Sequence, residues 1–223
     1  LIVLASISIN GACNAGPTPL DNPPVWVAIT PAKSGATPTR PRIDRANPSL
    51  DIGTRIALAA EDQVGVTTIY DPSFVTLAYP NGDIPIERGV CTDVIVRAFR
   101  AIGIDLQVRL HEDMAKSFGV YLEDWGLEAP DPNIDHRRVQ NLVKYSERMG
   151  KQINSTADES SKPGDIVAWQ LSGWMQHIGI VAVDIVPGTN RHCIIHNVGA
   201  GTQKEDVLRS FTIIEHYRVK LCA

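Results

Sequence analysis

The chain has 223 residues, of which 43% are hydrophobic and 21% are charged, and its formal net charge at pH 7 is −4. This length is sufficient for one well-packed globular domain. Because the balance is slightly acidic and the sequence has no basic run, we exclude nucleic acid as the main partner.

An apolar stretch opens the sequence, and small residues follow it. Residues 1–15 therefore indicate a partial signal peptide that lacks its methionine and basic start, which favours a periplasmic or secreted protein. The stretch is too short for a bilayer, which needs about 20 apolar residues, so we expect no integral membrane span. A short core strand is the alternative. Lipid attachment at Cys13 is disfavoured by Asn10, which stands where such signals carry an aliphatic residue.

Residues 16–47 are rich in proline and show little apolar periodicity, which predicts a linker or an extended arm. Residues 48–223 are expected to form a single domain. Helical spacing predicts helices at 47–64, 91–102, 111–118 and 134–149. Between them we expect a turn at 70–72, a short extended piece at 75–79, a link at 104–109 and a loop at 121–133, and a second loop at 151–162 follows the last helix. Strands are predicted at 164–169, 177–183, 193–197 and 211–220. Helices followed by an antiparallel sheet indicate an α+β fold.

Cys91 is the candidate nucleophile. Val94, Ile95 and Ala98 recur at helical spacing, so a helix begins near Cys91 and places the thiol on its buried face. Unpaired N–H groups and the dipole at a helix start favour thiolate, so we expect a lowered pKa for this thiol. The alternative is that Cys91 is a small buried core residue, as free cysteines often are.

Two histidines lie on predicted strands in the second half of the chain. His177 begins one strand, and His196 lies on the next. A cysteine at a helix start, with distant histidines brought close by a sheet, is the arrangement of a cysteine nucleophile and its base. A third group must orient that base. His196 and Asn197 both have suitable chemistry, but they point to opposite faces of one strand, so only one of them can serve.

Five segments carry a resemblance to a known family: 79–83 (YPNGD), 89–93 (GVCTD), 163–169 (PGDIVAW), 177–181 (HIGIV) and 195–201 (IHNVGAG). Over residues 48–220 the chain resembles the YijF-type bacterial envelope family, a domain of unknown function. That family in turn resembles the NlpC-type cell-wall cysteine peptidases. The resemblance implies a papain-like NlpC-type fold in which N-terminal helices pack on an antiparallel sheet.

The same resemblance implies the roles of the site residues. Cys91 becomes the nucleophile, His177 the base and His196 the group that orients the base. A tyrosine upstream of the cysteine lines the oxyanion region, and Tyr79 is the candidate. The chain departs from the wider pattern at Thr92, where that pattern has serine, which bears on substrate specificity. Candidates for oxyanion or substrate contacts are Tyr79, Thr92, Asp93 and Asn197.

These expectations lead to an exported cysteine hydrolase that cleaves an amide bond in peptidoglycan stem peptides. The alternatives are a non-catalytic module that binds the cell wall or an envelope partner, and an acyltransferase that shares the acyl-enzyme step. We expect no cofactor, no metal ion and a monomer. A zinc cluster at 192–196 is disfavoured because Cys193 points away from the face that His192 and His196 share. Cys193 and Cys222 are available for a disulfide in an oxidising compartment.

Overall fold

The computed structural model describes residues 14–15, 49–121, 128–153 and 160–219. The predicted linker at 16–47 and all but the last two residues of the predicted signal peptide lie outside these ranges. Within the described ranges the chain has an α+β fold. Its α-helices are α1 (Ile52–Glu61), α2 (Cys91–Arg100), α3 (Leu106–Ser117) and α4 (Val139–Met149). None of these helices is long and apolar enough to cross a membrane.

The described strands form two sheets. They are β1 (Asn14–Ala15), β2 (Ile69–Tyr70), β3 (Arg88–Gly89), β4 (Gly150–Gln152), β5 (Ile166–Gln170), β6 (Gln176–Ile185), β7 (His192–Asn197), β8 (Thr202–Asp206) and β9 (Thr212–Val219). Seven of them make the main sheet in the order β1-β8-β7-β6-β5-β9-β4. Every pair in that sheet is antiparallel except the two-residue contact of β1 with β8. The other two, β2 and β3, pair in parallel.

The core lies mainly between the helices and one face of the main sheet. On α2, nine of the ten residues are buried, and the apolar ones among them pack with α1, α3, β6 and β7. Ile178 and Ile180 of β6 face this core, whereas Trp169 and Val181 belong to a smaller cluster on the opposite face. Successive residues of a strand point to opposite faces, so His177 shares the face of Val181. At the start of β6, His177 therefore faces the smaller cluster, and Ile178 faces the main core.

Three helices begin at different residues from those predicted, among them α4, which begins at Val139 instead of residue 134. The first helix, α1, begins at Ile52 because the Asp51 side chain accepts a hydrogen bond from the Thr54 N–H and caps it. The third, α3, begins at Leu106, inside the stretch that was predicted to be a link. Asp105 caps this helix through the Gln107 N–H.

The strand predictions were correct for β5, β6, β7 and β9 and incomplete elsewhere. Residues 75–79 form no strand, while β2 lies where a turn was predicted. The short strand β4 falls within a predicted loop, and β8 was not predicted. The sequence of β8 is TQKED, which is polar throughout and so lacks the apolar alternation that marks a strand.

Candidate active site

Cys91 is the first residue of α2, as the apolar spacing predicted. The backbone N–H of Val90, at the N-cap position, donates to the Asp93 carboxylate over 2.7 Å and closes the turn that leads into the helix. The thiol is free and buried, and the residue is 6% exposed. The helix start thus holds the sulfur at one position against the sheet.

The sulfur of Cys91 lies beside the start of β6, where the backbone N–H of Ile178 donates to it. This donor is available because the β6–β7 ladder ends with the pair Ile180 and Ile195. Burial raises the pKa of the Cys91 thiol to about 12, although backbone N–H groups of Ile178, Thr92 and Cys91 act to lower it. The expectation of a lowered pKa was wrong in direction, because burial outweighs the helix start.

His177 and His196 lie together on the neighbouring strands β6 and β7, on the face of the main sheet that also carries Trp169. His177 Nε2 is 2.9 Å from His196 Nδ1, and both rings are buried. The Trp169 ring stacks on His177 with a centroid distance of 5.8 Å, and its own N–H donates to the Leu208 carbonyl. Burial, and then the neighbouring His196, lower the pKa of His177 well below its ordinary value. Of the three residues that were predicted to be catalytic, the structure therefore pairs His177 with His196, and it places the Cys91 sulfur against the backbone of Ile178, which follows His177.

Behind His196 lies a residue that sequence reasoning missed. The Glu205 carboxylate on β8 is 3.0 Å from His196 Nε2. Three side chains thus follow one another in the order His177, His196 and Glu205. Because β8 was not predicted, no signal in the sequence placed Glu205 beside a histidine.

Asn197 does not orient His177. Its side-chain amide donates to the Gly89 carbonyl over 2.9 Å, and its oxygen accepts from the Gly199 N–H. Asn197 therefore ties the end of β7 to the turn before Cys91. Of the two candidates for the orienting group, the one in contact with the base is His196.

Thr92 and Asp93 are directed into the protein. The Thr92 hydroxyl donates to the Arg137 carbonyl. Asp93 forms a buried ion pair with the Arg137 guanidinium, whose remaining N–H groups donate to the carbonyls of Asp71 and Ser73. These contacts hold the helix start to its neighbours and leave neither predicted substrate contact facing the surface.

Tyr79 lies away from the thiol, and Tyr70 lies near it. Tyr79 is 44% exposed, and its ring packs edge-on against His111 of α3. Tyr70 is 40% exposed, and its pKa is raised to about 12, first by the burial of the rest of the side chain and then by the charges of Cys91 and Asp93. Tyr70 ends β2, which pairs with Arg88–Gly89 just before the cysteine. The tyrosine beside the thiol is therefore Tyr70.

Cys193 on β7 is disulfide-bonded, and Cys91 is free. The other two cysteines of the chain, Cys13 and Cys222, lie outside the described residues. The predicted pairing of Cys193 with Cys222 therefore also lies outside the described residues. In the part of the chain that the structure describes, no group of three His, Cys, Asp or Glu side chains is placed to hold a metal ion.

Comparisons with known proteins match most of the domain. The family model described as domain of unknown function DUF1287 matches residues 57–219. The chain is also 46% identical over 172 residues to the uncharacterized protein YijF of Escherichia coli (strain K12). That match covers 76% of this chain and 83% of the relative. The matched range includes every residue of the site described above.

Proposed function

The chain belongs to the DUF1287 family, and from its site we propose that it is an exported cysteine hydrolase that cleaves an amide bond in peptidoglycan peptides. One observation carries the proposal: the Cys91 sulfur at the start of α2 accepts a hydrogen bond from the backbone N–H of Ile178, the residue that follows His177, and His177 is paired with His196. A nucleophile, a base within reach and a group that orients the base are the parts that acyl transfer by a thiol requires.

The reaction uses the ring nitrogen of His177 that His196 leaves free. Because Nε2 of His177 is engaged with His196, Nδ1 is the nitrogen that receives the Cys91 proton. The sulfur bonds to the amide carbon, and the imidazolium then gives its proton to the nitrogen as the C–N bond breaks. Water attacks the thioester, passing one proton to His177, and the departing sulfur regains a proton as the acid is released.

Burial sets the protonation of the resting pair. The raised pKa of Cys91 and the lowered pKa of His177 both favour the neutral thiol and the neutral imidazole. Proton transfer therefore accompanies the attack on the carbonyl. The Cys91 N–H at the helix start is the donor for the developing oxyanion, and the Tyr70 hydroxyl replaces Tyr79 as the tyrosine proposed to assist it.

Export and the finer fold are parts of the same proposal. A disulfide at Cys193 supports an oxidising compartment, since such bonds are rare in the cytosol. The order of a cysteine helix followed by two histidine-bearing strands supports a papain-like NlpC-type fold. A periplasmic or secreted location would place the enzyme beside its proposed substrate.

The burial of the thiol favours a second candidate function, a binding module without turnover. A cysteine whose pKa is about 12 is a poor nucleophile unless a base takes its proton, and a buried cysteine also packs well in a core. On this reading the domain recognises peptidoglycan or an envelope partner, and Cys91 serves only in packing.

Digestion of purified peptidoglycan distinguishes the two functions. The wild-type protein is incubated with peptidoglycan, and soluble fragments are identified by mass spectrometry. We expect fragments that have gained one water, and we expect Cys91→Ala and His177→Ala to abolish them. His192→Ala is the matched control, because His192 lies at the other end of β7 from His196. Absence of products from protein with an intact thiol, combined with unchanged retention on peptidoglycan in Cys91→Ala, would favour the binding module. Fragments that carry an added amine would indicate acyl transfer.

A further inference from the structure

Glu205 completes a row of side chains that begins at His177. We propose that Glu205 is a positioning residue that fixes the tautomers of His196 and His177, so that His177 keeps Nδ1 unprotonated. This inference rests on the proposed role of Cys91 as nucleophile and adds a residue that the proposed reaction does not use.

The contact between Glu205 and His196 is well placed for this role. The Glu205 carboxylate oxygen is 3.0 Å from His196 Nε2, and its side chain is 19% exposed while that of His196 is 1% exposed. Among the described residues, the carboxylate of Glu205 pairs with no lysine or arginine, so a structural ion pair does not explain its position. Its neighbour on β8, Lys204, pairs instead with Glu61 and Asp184.

The order of the strands brings the two side chains onto one face. His196 lies opposite Gln203, and Glu205 lies opposite Ile194, so Glu205 is the diagonal neighbour of His196. Gly179 on β6 leaves room on the other side. A Cβ atom there would lie 3.1 Å from the Cβ of His196, too close for an ordinary contact.

The tautomers follow from the chemistry of the donors and acceptors. An ionised carboxylate only accepts hydrogen bonds, so Nε2 of His196 must carry the hydrogen that Glu205 receives. A neutral imidazole has one N–H, so Nδ1 of His196 is then an acceptor. The hydrogen between the two rings therefore belongs to Nε2 of His177. Nδ1 of His177 is left with a lone pair, which is the state that a base for the Cys91 thiol requires.

The tautomers can be measured directly by long-range 1H–15N NMR on the full protein with 15N-labelled histidine. We expect both His177 and His196 to be protonated at Nε2 in the wild type. In Glu205→Leu, which removes the acceptor, we expect a substantial population of both rings to move the hydrogen to Nδ1. Alkylation of Cys91 at pH 7 should then slow by about tenfold, since a wrong tautomer of the base costs up to about 10⁴ in catalytic triads.

Asp206→Leu is the matched control, because it removes the next carboxylate on β8, where Asp206 pairs with Arg191. It should leave both tautomers and the alkylation rate unchanged. The proposal is overturned if Glu205→Leu keeps the wild-type tautomers, or if His177 in the wild type is protonated at Nδ1. The measurement of the His177 tautomer in the wild type needs no variant, so it tests the proposal even if Glu205→Leu does not fold. Neither tautomer measurement depends on turnover. If the protein does not cut peptidoglycan but Glu205→Leu changes the tautomers, hydrolysis is refuted and the positioning role of Glu205 is retained.

Discussion

The substitution His177→Ala tests whether His177 activates the Cys91 thiol. The site holds the thiol among backbone N–H groups but out of water, so its reactivity depends on where its proton goes. With the imidazole present, the proton transfers to His177 as the sulfur attacks. Without the imidazole, the thiol reacts only through the fraction that ionises unaided.

The size of the expected effect follows from the pKa of Cys91. With a pKa of about 12, about one thiol in 10⁵ is ionised at pH 7. An ordinary thiol with a pKa of about 8.5 is ionised in about one molecule in 30. A thiol that reacts only as free thiolate is therefore slowed by about three thousandfold relative to an exposed cysteine. The ratio of the wild-type alkylation rate to this thiolate-limited rate measures the contribution of His177.

The assay follows alkylation of Cys91 by peptide mass mapping between pH 5 and 10. We expect measurable labelling of the wild type at pH 7 with a weak dependence on pH. In His177→Ala the rate should be lower at pH 7 and should rise about tenfold for each pH unit, because the thiolate fraction does so below its pKa. His192→Ala removes a histidine from the neighbouring strand β7, serves as the control for His177→Ala, and should match the wild type.

Identical profiles for the wild type and His177→Ala, both rising tenfold per pH unit, would refute the proposed activation. In that case Cys91 would be a packing residue, and the binding module would become the better interpretation of the site.

Four further substitutions test other parts of the structure. Asp165→Asn should lower the free energy of unfolding in urea by about 3 kcal/mol, because it leaves Arg218 without its buried carboxylate. Burial raises the pKa of Asp135 to about 6, so its contribution to stability is lost as the pH rises through 4 to 6. Burial lowers the pKa of His136 to about 4, so its contribution is lost as the pH falls from 6.5 to 4. The two groups therefore change the free energy of unfolding with pH in opposite directions, each by up to about 1.4 kcal/mol per pH unit, and the two changes nearly cancel. Asp135→Asn should therefore make urea stability fall on acidification, and His136→Gln should reverse the slope. Tyr70→Phe should slow peptidoglycan cleavage by about ten- to a hundredfold and leave Cys91 alkylation unchanged.

The helix that carries Cys91 could be predicted from the sequence because its buried residues are apolar and recur at one spacing. The strands that carry His177 and His196 could be predicted for a similar reason, since the central residues of both strands are apolar. The alternation of side chains along a strand also predicted that His196 and Asn197 point to opposite faces, and the structure places the two residues in different contacts.

The remaining parts of the site depend on contacts between distant segments, which local patterns do not report. Glu205 lies on a polar strand that is fixed by its neighbours in the sheet. Tyr70 reaches the site because β2 pairs with β3, although turn residues follow it directly. The pKa of Cys91 was predicted in the wrong direction because the helix start is visible in the sequence, whereas the layers that bury the thiol are not.

The hydrogen bond from Asn197 to the Gly89 carbonyl has a consequence for the order of folding. It joins residues 108 positions apart, and the Ile178 donor to the sulfur also comes from far along the chain. Contacts of such long range form late, because a large loop must first be closed. A chain synthesised N-terminus first therefore exposes the Cys91 thiol until β6 and β7 have formed and packed against it. Once β7 has been made, an uncovered Cys91 is open to mispairing with Cys193, so closure of the sheet over Cys91 protects the correct oxidation of Cys193.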